Sequence, residues 1–185
     1  MKTSTKRIIA TTSILATMNI TSWVIFIGLC LQAGVFLFNI FYSLAINPGG
    51  AKYFPKGIDF SSLYEVGAWY FFAVTSMIVL VAAIKAYMFY LILSIFKILN
   101  LVQPFSKEVG RLIFKISFVA LLVGILSLSG FQYSEWLVRQ HVKLPAMYTF
   151  FGGGDVFLFM AATLFVIALV FKRGIEIQSE NELTV

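Results

Sequence analysis

Few side chains in this sequence have the type and spacing to do chemistry. Gly152-Gly153-Gly154-Asp155 has the G-x-G-D form that sets a carboxylate at membrane depth, where two aspartates sharing one proton can hydrolyse a peptide bond. The second acid is missing. Asp59, the other aspartate of the chain, falls in a segment expected outside the membrane, so Asp155 reads as an acid stabilised by the free N–H groups at a helix start. His141 and Cys30 are the sole histidine and cysteine, which leaves no metal-ligand set, no disulfide and no Cys/His pair. Phosphate-cradling loops and Ser/His/Asp sets are absent, and the expectation is a chain that is not an enzyme, with no catalytic residue, cofactor or metal.

Lys85 is the basic residue that lies well inside an apolar run. An ionisable group at membrane depth is by default a candidate site, and no carboxylate in an expected hydrocarbon core pairs with it. It lies ~24 Å along the helix from Trp69, so the competing reading is an ammonium that snorkels toward the headgroups. Gln32 and Asn39 lie on nearly one face of the preceding span, with Gln32 at a depth similar to that of Lys85. The trio Gln32, Asn39 and Lys85 reads either as interhelical hydrogen bonding or as a ligand-sensing or anion-conducting contact.

The elements that carry these residues are membrane spans. Hydrophobic residues make up 60% of the 185, charged residues 12%, against about 25% in a soluble domain. The net charge of +6 sits singly at the edges of apolar runs, not in a patch interleaved with aromatics, so direct nucleic-acid binding is not expected. The composition predicts an all-α integral membrane bundle of four transmembrane helices in a single domain, 1–185. The spans run over about 20–46, 67–95, 111–132 and 155–172, followed by a tail, 173–185. The N-terminal stretch lacks a small-x-small cleavage site and is kept as part of the chain. Asn47-Pro48-Gly49-Gly50 ends the first span, and Ser62 with Glu65 has the spacing of a capping box that would start helix two near Leu63. Pro104 stops that helix and Ser106 caps the third.

Charge then orients the bundle. Lys2, Lys6, Arg7, Lys97, Lys107, Arg111, Lys115, Lys172 and Arg173 fall on one side and Lys52, Lys56, Arg139 and Lys143 on the other, nine against four. Short loops rich in Lys and Arg stay in the cytoplasm, so both termini are expected there. Trp69, Tyr70, Tyr133 and Trp136 mark the outer interface. The tail from Ile175 carries Glu176, Glu180 and Glu182 and no base, yet keeps Ile175, Ile177, Leu183 and Val185. It reads either as an ordinary solvated end or as a segment that docks on the basic loop at Lys107 and Arg111 or on a soluble partner.

Gln103-Pro104-Phe105-Ser106 and the stretch Phe171-Lys172-Arg173-Gly174-Ile175-Glu176-Ile177-Gln178-Ser179-Glu180-Asn181-Glu182-Leu183-Thr184-Val185 together resemble a bacterial four-span membrane family, domain of unknown function 2975. The resemblance covers nearly the whole chain in span order and loop length. It brings no established activity. It implies a multi-pass protein of the bacterial inner (cytoplasmic) membrane and, because members are often encoded beside one, a small helix-turn-helix DNA-binding protein as partner. The resulting expectation is a non-enzymatic regulatory or sensory membrane protein in which Lys107, Arg111, Glu176, Glu180 and Glu182 dock that partner. The alternative is a small transporter or channel subunit with an anion path near Lys85. The bilayer is a partner in either case, and a homo-oligomer is compatible with both.

Overall fold

The computed structural model describes the backbone of residues 2–54, 57–99 and 105–182 and the side chains of 13–54, 57–99 and 105–180. Pro55, Lys56, Asn100, Gln103, Pro104 and Leu183 to Val185 lie outside the described residues, as do the side chains of Lys2, Lys6, Arg7 and Glu182. The helices are α1 (Lys2–Ala45), α2 (Ser61–Val66), α3 (Ala68–Ile98), α4 (Lys107–Arg139), α5 (Tyr148–Phe151) and α6 (Gly154–Glu182), with a 3-10 turn at Pro48–Lys52. Four stretches, Ser13–Ala45, Ala68–Ile98, Lys107–Arg139 and Tyr148–Glu180, are long and apolar enough to cross a membrane. The chain is an all-α, multi-pass membrane protein.

Neighbours pack in chain order: α1 on α3, α3 on α4 and α4 on α6. The start of α1 and the end of α6 therefore share one end of the bundle, the groove end, and the connections after α1 and α4 share the other, the loop end. Lipid supplies no hydrophobic force between helices, so close approach depends on small residues. Ser117, Ala120, Gly124, Ser127 and Gly130 are buried along α4. A Cβ on Gly124 would lie 2.6 Å from Leu158 Cδ2 and 3.0 Å from the Gly154 carbonyl. Hydroxyls in the apolar helices donate back to their own backbone, Thr75 to Phe71 O at 2.6 Å and Ser134 to Gly130 O at 2.7 Å. Ser127 Oγ, by contrast, is buried without a partner.

The contact between Gly124 and Gly154 has a topological consequence. Gly124 is near the midpoint of α4, so α6 begins halfway along its neighbour, about 25 Å from Lys107. The segment expected as an outer loop turns back into the bundle to reach that point. Val142, Met147, Phe150 and Phe151 are buried on the way. A Cβ on Gly130 would lie 2.6 Å from Phe151 Cε1, and the backbone turns between α5 and α6 at Gly153, φ 77°.

The first connection is likewise a packed structure. Phe54 and Phe60 meet edge to face at 5.0 Å, Phe36 reaches Phe54 at 5.3 Å and Phe150 at 5.4 Å, and Phe60 and Phe71 are fully buried. Edge-to-face pairs place the positive ring edge on the negative face of the neighbour. The two connections thus form one aromatic plug at the loop end.

Three local expectations are corrected. The Ser62–Glu65 capping box does not form: α2 starts at Ser61, two residues before Leu63, and Asp59 Oδ1 accepts from the Ser61 N–H at 2.8 Å. Helix two is not continuous either, since α2 ends at Val66 and α3 begins after Gly67. The fourth helix does not give way to a tail at 173, next to Gly174. α6 runs through it to Glu182, and the missing side chain makes room for Phe105, whose Cδ1 would lie 2.8 Å from a Cβ there.

Candidate functional site

Two places gather the residues that the sequence singles out. The first lies at mid-bundle between α1, α3 and α5. Gln32 and Lys85 line one cavity of about 170 Å³ with Thr149 and Phe150. Gln32, Thr149 and Phe150 also line an adjoining hollow of about 360 Å³ that reaches Phe36 and Ile58 under the plug. The Lys85 ammonium faces an aromatic ring of α6. Nζ lies 5.1 Å from the centroid of the Phe157 ring, one turn into α6, within the range at which a ring face attracts a cation. No carboxylate stands within ion-pair distance of it among the described residues. Asn39 is not brought to this cavity: its Nδ2 donates to Val35 O at 2.8 Å, and the Ser43 hydroxyl donates to Asn39 O at 2.7 Å.

Thr149 belongs to this cavity although no local pattern in the sequence marks it. It sits in a segment that reads as a loop, and only the return of that segment into the bundle brings it to Lys85. Asp155 is exposed in the first turn of α6, and the Asp59 carboxylate is engaged with Ser61. Hydrogen bonding from the Ser61 hydroxyl and N–H, with Lys52 nearby, holds Asp59 below the usual carboxylate range. No group of three or more His, Cys, Asp or Glu that could hold a metal occurs among the described residues.

The second place is the groove end. Lys107, Arg111 and Glu176 line a hollow of about 520 Å³ between the start of α4 and the last turns of α6, with Lys172 on the same rim. Phe114, Phe165, Ala168 and Leu169 form its floor. Ser106 caps α4, its Oγ accepting from the Val109 N–H at 3.2 Å, and Glu108 stands in the first turn. Phe105 packs on Phe171 at 5.2 Å between ring centroids and ties the helix start to α6. Arg173 Nη1 donates to Glu176 Oε2 at 2.9 Å, a pair legible in the i, i+3 spacing but not drawn from it.

Past Glu176, which shares the groove with Lys107, the last turns of α6 continue for about 9 Å to Glu182. Glu180 is exposed on this projection, and Glu182 is in its final turn with its side chain outside the described set. The proposed docking residues are therefore divided: three in the groove and two on the projecting helix.

A sequence profile described as Protein of unknown function (DUF2975) matches residues 56–185. The match begins after α1, so the first span lies outside it. No curated protein and no solved structure matches the chain.

Proposed function

This chain belongs to the DUF2975 family, proteins of unknown function, and on that footing we propose a non-enzymatic membrane protein that regulates a soluble partner. The observation that carries the reading is the path of α6. One unbroken helix starts beside the cavity, where Phe157 faces Lys85, lines the groove with Glu176 and ends past it in the turns that carry Glu180. A ligand or local charge that favours one arrangement at Lys85 and Gln32 biases the position of the projecting turns, and a partner with different affinity for the two positions reads the difference.

Lys107, Arg111, Glu176, Glu180 and Glu182 are the docking residues in this proposal. Its partner, implied by the resemblance in the tail and around Ser106, is a small helix-turn-helix DNA-binding protein. The groove end then faces the cytoplasm of a bacterial inner membrane, in keeping with the excess of Lys and Arg at that end. The test is in-cell crosslinking followed by detergent pull-down of the tagged full chain, of a chain lacking Glu176 to Val185, and of Lys85→Met. Capture of a helix-turn-helix protein by the full chain alone, with altered capture by Lys85→Met, is the expected result. Equal capture by all three forms, or by none, overturns the reading.

A second reading, a small anion transporter or channel subunit, draws on the broken fourth crossing. Helices that begin near the membrane midplane point free N–H groups at anionic substrates in secondary transporters, and the Gln32–Lys85 cavity adjoins the start of α6. Lys85→Ala then abolishes an anion flux in proteoliposomes. No flux of chloride, phosphate or carboxylates by the unaltered chain counts against it.

A further inference from the structure

Small residues that bring α4 and α6 together also leave a furrow along their shared outer face. Its mouth is the groove rimmed by Lys107, Arg111 and Lys172, and its upper floor is Phe114 and Phe165. Those two rings also line a second hollow of about 310 Å³, which continues past Ala161 and Ala162 to Leu121. From Lys107 to Leu121 the furrow follows about 21 Å of helix. Half the hydrocarbon core of a bilayer is about 15 Å, so the furrow spans the rim and one leaflet.

Polarity changes along it in one direction. The mouth holds three cations and one carboxylate, and that carboxylate, Glu176, is bonded to Arg173 outside the lining set. Deeper in, the lining is apolar except for Ser117, whose hydroxyl donates to Phe114 O at 2.7 Å. A cationic mouth above an apolar trough of leaflet depth is complementary to a molecule with a phosphate at one end and an acyl chain at the other. Basic clefts between membrane helices at the headgroup level recognise anionic lipids by this combination.

We propose that the α4–α6 furrow binds an anionic phospholipid, its phosphodiester at Lys107, Arg111 and Lys172 and one acyl chain along Phe114, Phe165 and Ala162. The proposal goes beyond partner docking and does not rest on it. A free phosphate would use the mouth alone, and an uncharged lipid the trough alone.

The experiment is native mass spectrometry of the delipidated full chain in detergent, titrated separately with phosphatidylglycerol, phosphatidylcholine and inorganic phosphate. Phosphatidylglycerol is expected to bind more tightly than phosphatidylcholine, with each lost cation lowering its affinity about fivefold, so that K107Q/R111Q/K172Q loses about 100-fold. Ala162→Phe, which leaves every charge in place and fills the trough, is expected to weaken phosphatidylglycerol as well. K52Q/K143Q, at the loop end, is the charge control. Equal binding of the two lipids, an equal loss in the control, displacement of phosphatidylglycerol by equimolar inorganic phosphate, or unchanged binding in Ala162→Phe would each overturn the proposal.

Discussion

His141 closes α4 with its backbone in the left-handed region, φ 65°, its N–H donating to Val138 O at 2.9 Å while the Val142 N–H reaches back to Leu137 O at 3.2 Å. Glycine is favoured at this position because an L side chain crowds its own carbonyl, at a cost of roughly 1–2 kcal/mol. His141→Gly is therefore expected to stabilise the protein by about 1 kcal/mol, measured by thermal unfolding in detergent. Asp59 supplies the acid limb. Its folded pKa is depressed, so its contribution is present above the ordinary value of 3.8 and is lost as pH falls through the lower folded value. Asp59→Asn keeps an acceptor oxygen and should remove that increment from the pH dependence of unfolding, leaving the other carboxylates' share. At this scale, what is legible in a sequence is what is local. The Ser106 cap follows from the residues around it, and the shared depth of Gln32 and Lys85 follows from counting along two antiparallel helices. Thr149 does not, because its place depends on buried Phe150 and Phe151 pulling the chain inward.

Helices meet in this protein where side chains are absent. Gly124→Val would force Cγ atoms into Leu158 and into the Gly154 backbone, which cannot rotate away, and should destabilise the fold by about 1–3 kcal/mol. Gly28 has no heavy atom within 4 Å of a built Cβ, so Gly28→Ala is the matched control and is expected to be neutral or slightly stabilising, by up to about 1 kcal/mol. Detergent unfolding of the pair separates seam packing from backbone entropy. The long apolar runs announce helices plainly, yet Gly174 shows why their ends do not follow as plainly. A glycine after Lys-Arg has the local look of a helix stop, and the same residue also serves where a ring must approach a backbone. Only Phe105, some seventy positions away in the sequence, decides between the two. The plug is hidden for the same reason: Phe54, Phe60 and Phe150 carry no periodic signal, and their meeting is a tertiary event.

Across the whole molecule the two ends differ, with a dense aromatic plug at one and an open, cationic groove with a projecting helix at the other. Orientation is testable because Cys30 is the chain's single cysteine and can be replaced by serine. In that background, Tyr53→Cys, at a position 76% exposed, should react with a membrane-impermeant thiol reagent in intact cells, and Lys172→Cys only after permeabilisation. The reverse pattern would put the groove outside and remove the cytoplasmic docking proposal. The pairing of α1 with α3, α3 with α4 and α4 with α6 bears on how the molecule is made. During synthesis the chain emerges N-terminal end first, and contacts between near neighbours form fastest. Here every later helix enters the bilayer with its main docking surface already present, and the last to arrive, α6, seats its glycine start on an α4 that is already held by α3. Assembly can thus proceed by accretion, one helix against the last, without a closing step that joins the first helix to the final one.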